Sequence, residues 1–454
     1  MPDVKGNNTR INEMSGIFKA YDIRGIYGKD LTEAIAYDIG RAYVTFTKAK
    51  KVVIGRDCRP HSVPLQAALT KGITELGCDV VDIGQCSTPM NYYANGSLGA
   101  DGSIMITASH NPAEWNGFKL CQASAVPISG ATGIADIERI VTEGAYAAPA
   151  AVLGTVTTHD ILPAYREHIR PYMQFGRRPR LAVDYANGMG IIEAKTFIDC
   201  VDQTALYGDI DGSFPNHEAN PLHHATLAKL QETIRSGDYD FGVAFDGDAD
   251  RAGFIDEKGE IIPMDLITAL IAQDVLSREK GVIFYDLRSS RVVKEVIEAA
   301  GGVPMMSRVG HAFIKAQMRE HNAIFAGELS GHYYFRDNYV AESSSMAAIA
   351  LCNIVTKSGK KLSELIAPLR KYACSGEINS TVTCDPQEIL KKLKARYADG
   401  NVFELDGVSV EYPTWWFNVR CSNTEPLVRL NLESVRSKEE MEARRDEVLA
   451  IIRG

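Results

Sequence analysis

Three short apolar runs constrain how this chain can fold. Lys51-Val-Val-Ile-Gly, Leu181-Ala-Val-Asp-Tyr and Val282-Ile-Phe-Tyr-Asp each reach an aspartate at or near their end: Asp57, Asp184 and Asp286. Each run reads as a strand, and each leads into a segment with helical character. Leu65, Leu69, Gly72 and Leu76 recur at helical spacing after the first. A segment near Ile191 to Ile198 follows the second. Val292, Val293, Val296, Ile297 and Ala300 follow the third. After the first helix Asp79-Val-Val-Asp-Ile resumes as a strand, so that unit is β-α-β and its strands pair in parallel. The recurrence predicts three related α/β domains, with boundaries near residues 155, 257 and 370.

The last eighty or so residues follow another pattern. Pro386 to Tyr397 is helical, Val408-Ser-Val-Glu-Tyr and Val428-Arg-Leu-Asn-Leu alternate like half-buried strands, and Lys438 to Ile452 closes as a helix. This predicts a smaller α+β domain. The four expected domains are then 1–155, 156–257, 258–370 and 371–454. A length of 454 residues with 45% hydrophobic and 24% charged side chains suits several such domains in one globular chain. The net charge of −9 argues against general nucleic-acid binding, though a local arginine cluster can still hold an anion. Nine cysteines are scattered without a Cys-x-x-Cys pair, which suits a reducing cytosol. The first fifteen residues carry no apolar signal core, and no run of about 18 apolar residues occurs. The expectation is a cytoplasmic protein with no membrane partner.

Asp246-Gly-Asp-Ala-Asp-Arg251 sets three carboxylates on alternate positions. The flanks Phe241-Gly-Val-Ala-Phe and Ala252-Gly-Phe-Ile-Asp read as two strands joined by this loop. Carboxylates this close repel unless a cation lies between them, and hard oxygen ligands suit Mg²⁺ better than Zn²⁺. An acidic turn without a metal is the plain alternative. An EF-hand fits poorly, because Arg251 stands where that loop needs glycine and the flanks are strands.

Thr107-Ala-Ser109-His110-Asn111-Pro112 follows Gly102-Ser-Ile-Met-Ile-Thr, a short buried-strand pattern. A serine at the end of a strand, in a turn closed by Asn-Pro, is expected to be exposed for attack on phosphorus. A purely structural turn is the alternative, and no Gly-x-Ser-x-Gly elbow surrounds Ser109. Arg420-Cys-Ser-Asn-Thr-Glu-Pro-Leu-Val-Arg429 offers two arginines and three small hydrogen-bonding side chains. It reads equally as a phosphate cradle or a polar hairpin.

Together these stretches resemble the α-D-phosphohexomutase family. The likeness runs from Tyr21 to Arg429 and rests on five motifs in family order: Lys19-Ala-Tyr-Asp-Ile-Arg-Gly25, Thr107 to Pro112, Asp246 to Arg251, Gly327-Glu-Leu-Ser-Gly-His332, and Arg420 to Pro426. It is most like bacterial phosphomannomutase/phosphoglucomutase. The resemblance implies three mixed α/β domains and a smaller fourth around a central cleft. It implies a serine that carries a phosphoryl group, here Ser109, and Mg²⁺ held by Asp246, Asp248, Asp250 and that serine. Glu328 and Ser330 would contact sugar hydroxyls, and Arg420, Ser422, Asn423, Thr424 and Arg429 the phosphate that does not react. Tyr21, Arg251, Arg288 and His311 complete the implied substrate contacts, with His110 supporting the serine loop. Lys119 in Asn116-Gly-Phe-Lys119, His332 and Arg24 are the implied candidates for proton acceptor and donor; the alternatives are an Arg24 or Lys119 that only pairs with carboxylates and a His332 that only donates to the sugar. As a base, Lys119 would need its pKa lowered by nearby positive charge. Arg56 and Arg59 could neutralise phosphate or belong to a solvated face.

The implied activity interconverts hexose 1-phosphate and hexose 6-phosphate through a phosphoserine enzyme and a hexose 1,6-bisphosphate, which also serves as activator. The leucine in Gly327-Glu-Leu-Ser-Gly-His332 looks like the branch acting on mannose and glucose phosphates, where the glucosamine branch usually has glutamine. Arg288 departs from the lysine common in bacterial relatives, and Cys421 would make the clamp oxidisable if exposed. A phosphoglucosamine mutase, a metal-dependent phosphatase and a non-catalytic phosphosugar-binding protein remain the other readings. A monomer or weak homodimer is expected.

Overall fold

The structure, a computed structural model, describes residues 16–421 and 427–454. Ser422, Asn423 and Thr424, all expected in the phosphate clamp, lie outside the described residues.

Four sheets succeed one another along the chain. The first has Gly102–Ile106 and Lys51–Arg56 at its centre, with Asp79–Gln85 beside the latter. These strands are parallel, while Trp115–Gln122 pairs antiparallel with Gly102–Ile106. The second sheet repeats this plan. Asp202–Leu206, Arg180–Asp184 and Phe241–Phe245 are parallel neighbours, and Ala252–Asp256 returns antiparallel on the last. In the third, Val303–Ser307, Val282–Asp286 and Phe325–Gly327 are parallel, and Tyr333–Phe335 returns antiparallel. The three expected related α/β domains are therefore present.

The equivalence reaches single residues. Asp57, Asp184 and Asp286 all sit where the corresponding central strand ends. Each accepts a hydrogen bond through Oδ1 from the backbone N–H two residues on: Arg59 at 3.0 Å, Ala186 at 2.9 Å and Arg288 at 2.8 Å. A short side chain that turns the backbone in this way ends a strand.

The helix Ser62–Glu75 forms where expected and packs on Glu33–Thr47. They approach so closely that a Cβ on Gly72 would stand 2.2 Å from the Tyr37 carbonyl. The segment near Ile191 to Ile198 departs from the expectation. It makes one short helix, Gly190–Glu193, then tight turns at Ala194–Thr196 and Ile198–Cys200. The Glu193 carbonyl accepts from the Thr196 and Ser345 hydroxyls, and Phe197 N turns to Ala194 O instead. The helix stops where its next acceptor is taken.

The fourth sheet is entirely antiparallel, with Leu427–Ser434 at its centre between Trp415–Cys421 and the short strands Ala373–Cys374 and Ile378–Thr381. Helices Pro386–Arg396 and Lys438–Arg453 complete an α+β domain with its own apolar core around Phe417, Val419 and Leu430. No described helix is long and apolar enough to cross a membrane.

Candidate active site

In each of the first three sheets a loop joins the last parallel strand to its antiparallel neighbour. These three equivalent loops carry Ser109, the Asp246–Asp250 triad and Glu328–His332. Residues far apart in sequence meet there. Ser109 Oγ donates to Asp246 Oδ2 at 2.9 Å. His332 Nε2 lies 3.3 Å from Asp250 Oδ1.

The acidic loop is a tight turn with Ala249 at φ +60°. Its carbonyls are held by three separate parts of the chain. Met189 N donates to Gly247 O at 2.9 Å, Thr88 N to Asp248 O at 3.0 Å and the Ser344 hydroxyl to Ala249 O at 2.6 Å. The carboxylates are thereby left to face one another, and one oxygen from each lies within 4.8 Å of the others. All three are buried. Asp248 Oδ1 has no hydrogen-bond partner among the described residues, although Asp248 Oδ2 accepts from the Thr88 hydroxyl at 2.6 Å. A buried carboxylate oxygen left unbonded is costly, and a divalent cation with oxygen preference satisfies it. The donor set fits Mg²⁺ on those grounds. Without a cation the charge is uneven. Burial and the other two carboxylates push Asp246 well above the usual carboxylate range. Asp250 is held well below it, because Lys119 and His332 outweigh its burial.

Ser109 is not exposed as expected: it is 1% exposed, at φ +51°. The acidic loop closes over it, so near that a Cβ on Gly247 would stand 2.4 Å from the Ser109 carbonyl. His110 Nδ1 lies 3.2 Å from Ser109 Oγ, and burial followed by Arg251 and Arg24 keeps this imidazole neutral. Arg24 donates to Asn111 Oδ1 at 2.6 Å and to Ala108 O at 3.3 Å, so it braces the serine loop.

Arg59 fits neither of its expected readings. It is fully buried and donates to the carbonyls of Ser109 at 3.0 Å, Asn111 at 2.6 Å, Pro112 at 2.5 Å and Trp115 at 3.0 Å. With its guanidinium donors committed to these carbonyls and to Asp57, it shapes the serine loop rather than binding a ligand.

Lys119 lies between Asp248 and Asp250, bonding Asp248 Oδ2 at 2.8 Å and pairing with Asp250 Oδ2. Burial lowers its pKa, but those two aspartates prevail and hold it well above the usual lysine value. The lowered pKa that a base role requires is therefore not found; the lysine is a cation here. His332 behaves alike: burial opposes its charge, yet Asp250 raises it to about 9. Its Nδ1 is 2.9 Å from Ser330 Oγ and 3.3 Å from Glu328 Oε2. Arg251 Nε stands 3.3 Å from His332 Nε2 and 3.8 Å from Asp246 Oδ2.

Glu328 is buried and takes hydrogen bonds from Tyr334 OH at 2.5 Å and Gly310 N at 3.0 Å. The same turn brings His311 beside the Tyr21 ring, with centroids 5.9 Å apart. Arg288, Arg420 and Arg429 gather separately, around Glu377. The two groups are linked by Asp286, which pairs with Arg288 at 2.7 Å and accepts from Leu329 N at 2.7 Å. Cys421 is half-buried, and burial followed by Asp385 and Asp406 raises its thiol pKa, opposite to what oxidation favours. Two cavities of about 220 and 350 Å³, beside Arg336 and Trp416, contain none of the expected site residues.

Sequence reasoning missed Thr88, Ser344 and Glu377, and named Arg59 only in other roles. None stands in a motif. Only Thr88 carried a signal, as the residue before Pro89 at a helix start.

A serine hydroxyl against a carboxylate triad suited to Mg²⁺ is a phosphoryl-transfer arrangement in general terms. Comparison with known proteins narrows it. Residues 15–148, 163–259 and 263–372 match domains I, II and III described as phosphoglucomutase/phosphomannomutase, alpha/beta/alpha, and residues 377–451 match the C-terminal domain of the same family. A phosphomannomutase of Escherichia coli is 38% identical over 455 residues, covering 96% of this chain and 99% of its own. One of Methanocaldococcus jannaschii is 38% identical over 428 residues, covering 92% and 93%. A crystal structure of a phosphoglucomutase/phosphomannomutase family protein from Burkholderia thailandensis superimposes with a TM-score of 0.89 at 33% identity, covering 97% of both chains. The chain belongs to the phosphoglucomutase/phosphomannomutase family and is a mutase of phosphorylated sugars.

Proposed function

We propose that this mutase interconverts the 1-phosphate and 6-phosphate of mannose, glucose or both, with Ser109 as phosphoryl carrier and a hexose 1,6-bisphosphate as intermediate and activator. The observation that carries this reading is Ser109 Oγ, 2.9 Å from Asp246 inside the acidic triad. The names of the relatives, phosphomannomutase, support mannose among the substrates.

Mg²⁺ held by Asp246, Asp248, Asp250 and the Ser109 oxygen would supply charge neutralisation for the transferred group. The protein's own part is positioning. Arg59 and Arg24 fix the strained serine turn, which aims Oγ at the triad. Glu328 and Ser330 orient the sugar hydroxyls, with Tyr21 and His311 beside them. Arg288, Arg420 and Arg429, with Ser422, Asn423 and Thr424, hold the phosphate that is not being transferred. In the first transfer the P–O bond to Ser109 breaks and one to the sugar hydroxyl forms. One proton leaves that hydroxyl and one arrives at the serine oxygen. Lys119 and His332, both held protonated beside the triad, are the donors for that oxygen, and the one that gives up its proton takes up the proton that the sugar hydroxyl releases. The bisphosphate then turns end for end, and its other phosphoryl group returns to Ser109. A reducing cytosol suits nine cysteines that are all unpaired.

Intact-mass analysis together with a coupled assay on mannose 1-phosphate, glucose 1-phosphate and glucosamine 1-phosphate tests the reading. One added phosphoryl group, lost in Ser109→Ala, and turnover of the first two sugars are expected. An unmodified mass with no turnover after priming by a hexose 1,6-bisphosphate would overturn it.

A further inference from the structure

Glu377 is a carboxylate shared by three arginines drawn from two sheets. Arg420 Nη2 donates to its Oε2 at 2.8 Å. Arg288 Nη1 stands 3.6 Å from the same oxygen, and Arg429 Nη1 stands 3.6 Å from Oε1. Arg420 and Arg429 face each other across the hairpin of Trp415–Cys421 and Leu427–Ser434. Arg288 comes from the third sheet, where Asp286 already holds its Nε and Nη2. Glu377 precedes Ile378–Thr381, the strand paired with Leu427–Ser434.

Only one of these contacts is a close hydrogen bond. Arg420 Nε and Arg429 Nε are buried without a hydrogen-bond partner among the described residues. Arginine donors are thus left over on the fourth-sheet side, where Glu377 is the carboxylate that pairs with both Arg420 and Arg429. That carboxylate is 24% exposed, so an incoming ligand can reach it. Burial opposes its ionisation, but the three arginines outweigh it and keep it charged. A phosphate monoester brings more charge and more acceptor oxygens than a carboxylate, and arginine forks match both.

We propose that Glu377 is a built-in counter-anion, competing with the sugar's distal phosphate for Arg288, Arg420 and Arg429 and so limiting how tightly it is held. This rests on reading those arginines as the phosphate clamp. The chemistry needs such a limit, because the bisphosphate must leave the clamp in mid-cycle in order to turn round. Without Glu377, Arg420 and Arg429 would stand uncompensated beside Arg288 and would hold it longer than the transfer requires. A carboxylate that merely held the arginines in place would act in the opposite sense, and the two roles separate by sign.

The test is Glu377→Gln in the full-length enzyme, with thermal melting to confirm folding. Calorimetric binding of inorganic phosphate and steady-state kinetics with mannose 1-phosphate are then compared with wild type. Removing the competing charge should tighten phosphate binding roughly fivefold and lower KM. It should also lower kcat, as the intermediate is released from the clamp more slowly. Weaker or unchanged phosphate binding, or a raised KM, overturns the proposal. Arg420→Ala serves as the second arm. Weakened phosphate binding there, beside a null or opposite result for Glu377→Gln, sinks the counter-anion while leaving the clamp. Unchanged binding in Arg420→Ala removes the clamp and the proposal with it.

Discussion

Single residues decide whether the serine and the triad can meet. Gly247 is glycine because its position faces the Ser109 carbonyl at contact distance. Gly247→Ala should push the two loops apart. A destabilisation of about 1–3 kcal/mol is expected, with a larger loss of turnover, measured by urea melts beside the mutase assay. Arg59 is a second such residue: its removal takes a donor from each of four carbonyls and the ion pair from Asp57. Asp248→Asn acts on chemistry instead, lowering turnover far more than it weakens sugar binding; equal losses of kcat and affinity would refute a role in the transition state.

Away from the site, Asp265 is buried and its pKa is pushed up to about 6, burial being the main cause. Between about 4 and that value the folded chain keeps a proton that the unfolded chain releases, so stability falls as pH rises through this window. The fall amounts to about 3 kcal/mol, and melts across the window should show it in wild type and not in Asp265→Asn.

At the scale of elements, the recurrent strand-aspartate-helix pattern was legible because it is local. Each of the three apolar runs became a central strand, and each aspartate became the turn that ends it. The serine and acidic loops were legible for the same reason, being dense motifs between strands. The residues that hold those loops were not. Thr88 reaches Asp248 across 160 positions, and nothing in its neighbourhood distinguishes it from an ordinary helix start. Arg59 and Glu377 are charged residues whose meaning depends wholly on what the fold places opposite them. The exposure expected of Ser109 failed likewise, because the loop that covers it comes from another sheet.

The helix Thr88–Ser97 shows how an element supports the site from outside it. Its first residue gives both its N–H and its hydroxyl to Asp248. Thr88→Val keeps the shape and removes the hydroxyl. Mg²⁺ affinity measured by calorimetry should then fall about tenfold or more. An unchanged affinity would mean that the backbone bond alone orients the carboxylate.

Across the whole molecule the units are tied by buried polar contacts as well as by apolar packing. Lys315 and Glu342, both on the third unit, pair at 2.6 Å, with Lys315 Nζ 3.9 Å from the ring of Tyr92 on the first. Both are buried, so deleting one charge strands the other. Lys315→Met alone should cost about 3–5 kcal/mol, and Lys315→Met with Glu342→Gln should recover much of that in denaturant titrations.

The tethering of the acidic loop has a consequence for the protein as a thermodynamic object. Gly247, Asp248 and Ala249 are each fastened to a different stretch of the chain, in the second, first and third units. An ion drawn in by the triad therefore acts as a folding ligand for all three at once. Magnesium at a hundredfold its dissociation constant should add about 2.7 kcal/mol to a single shared unfolding transition, and a chelator should take it away. Scanning calorimetry that resolved separate transitions, only one of them responsive to magnesium, would show instead that the loop answers to its own sheet alone.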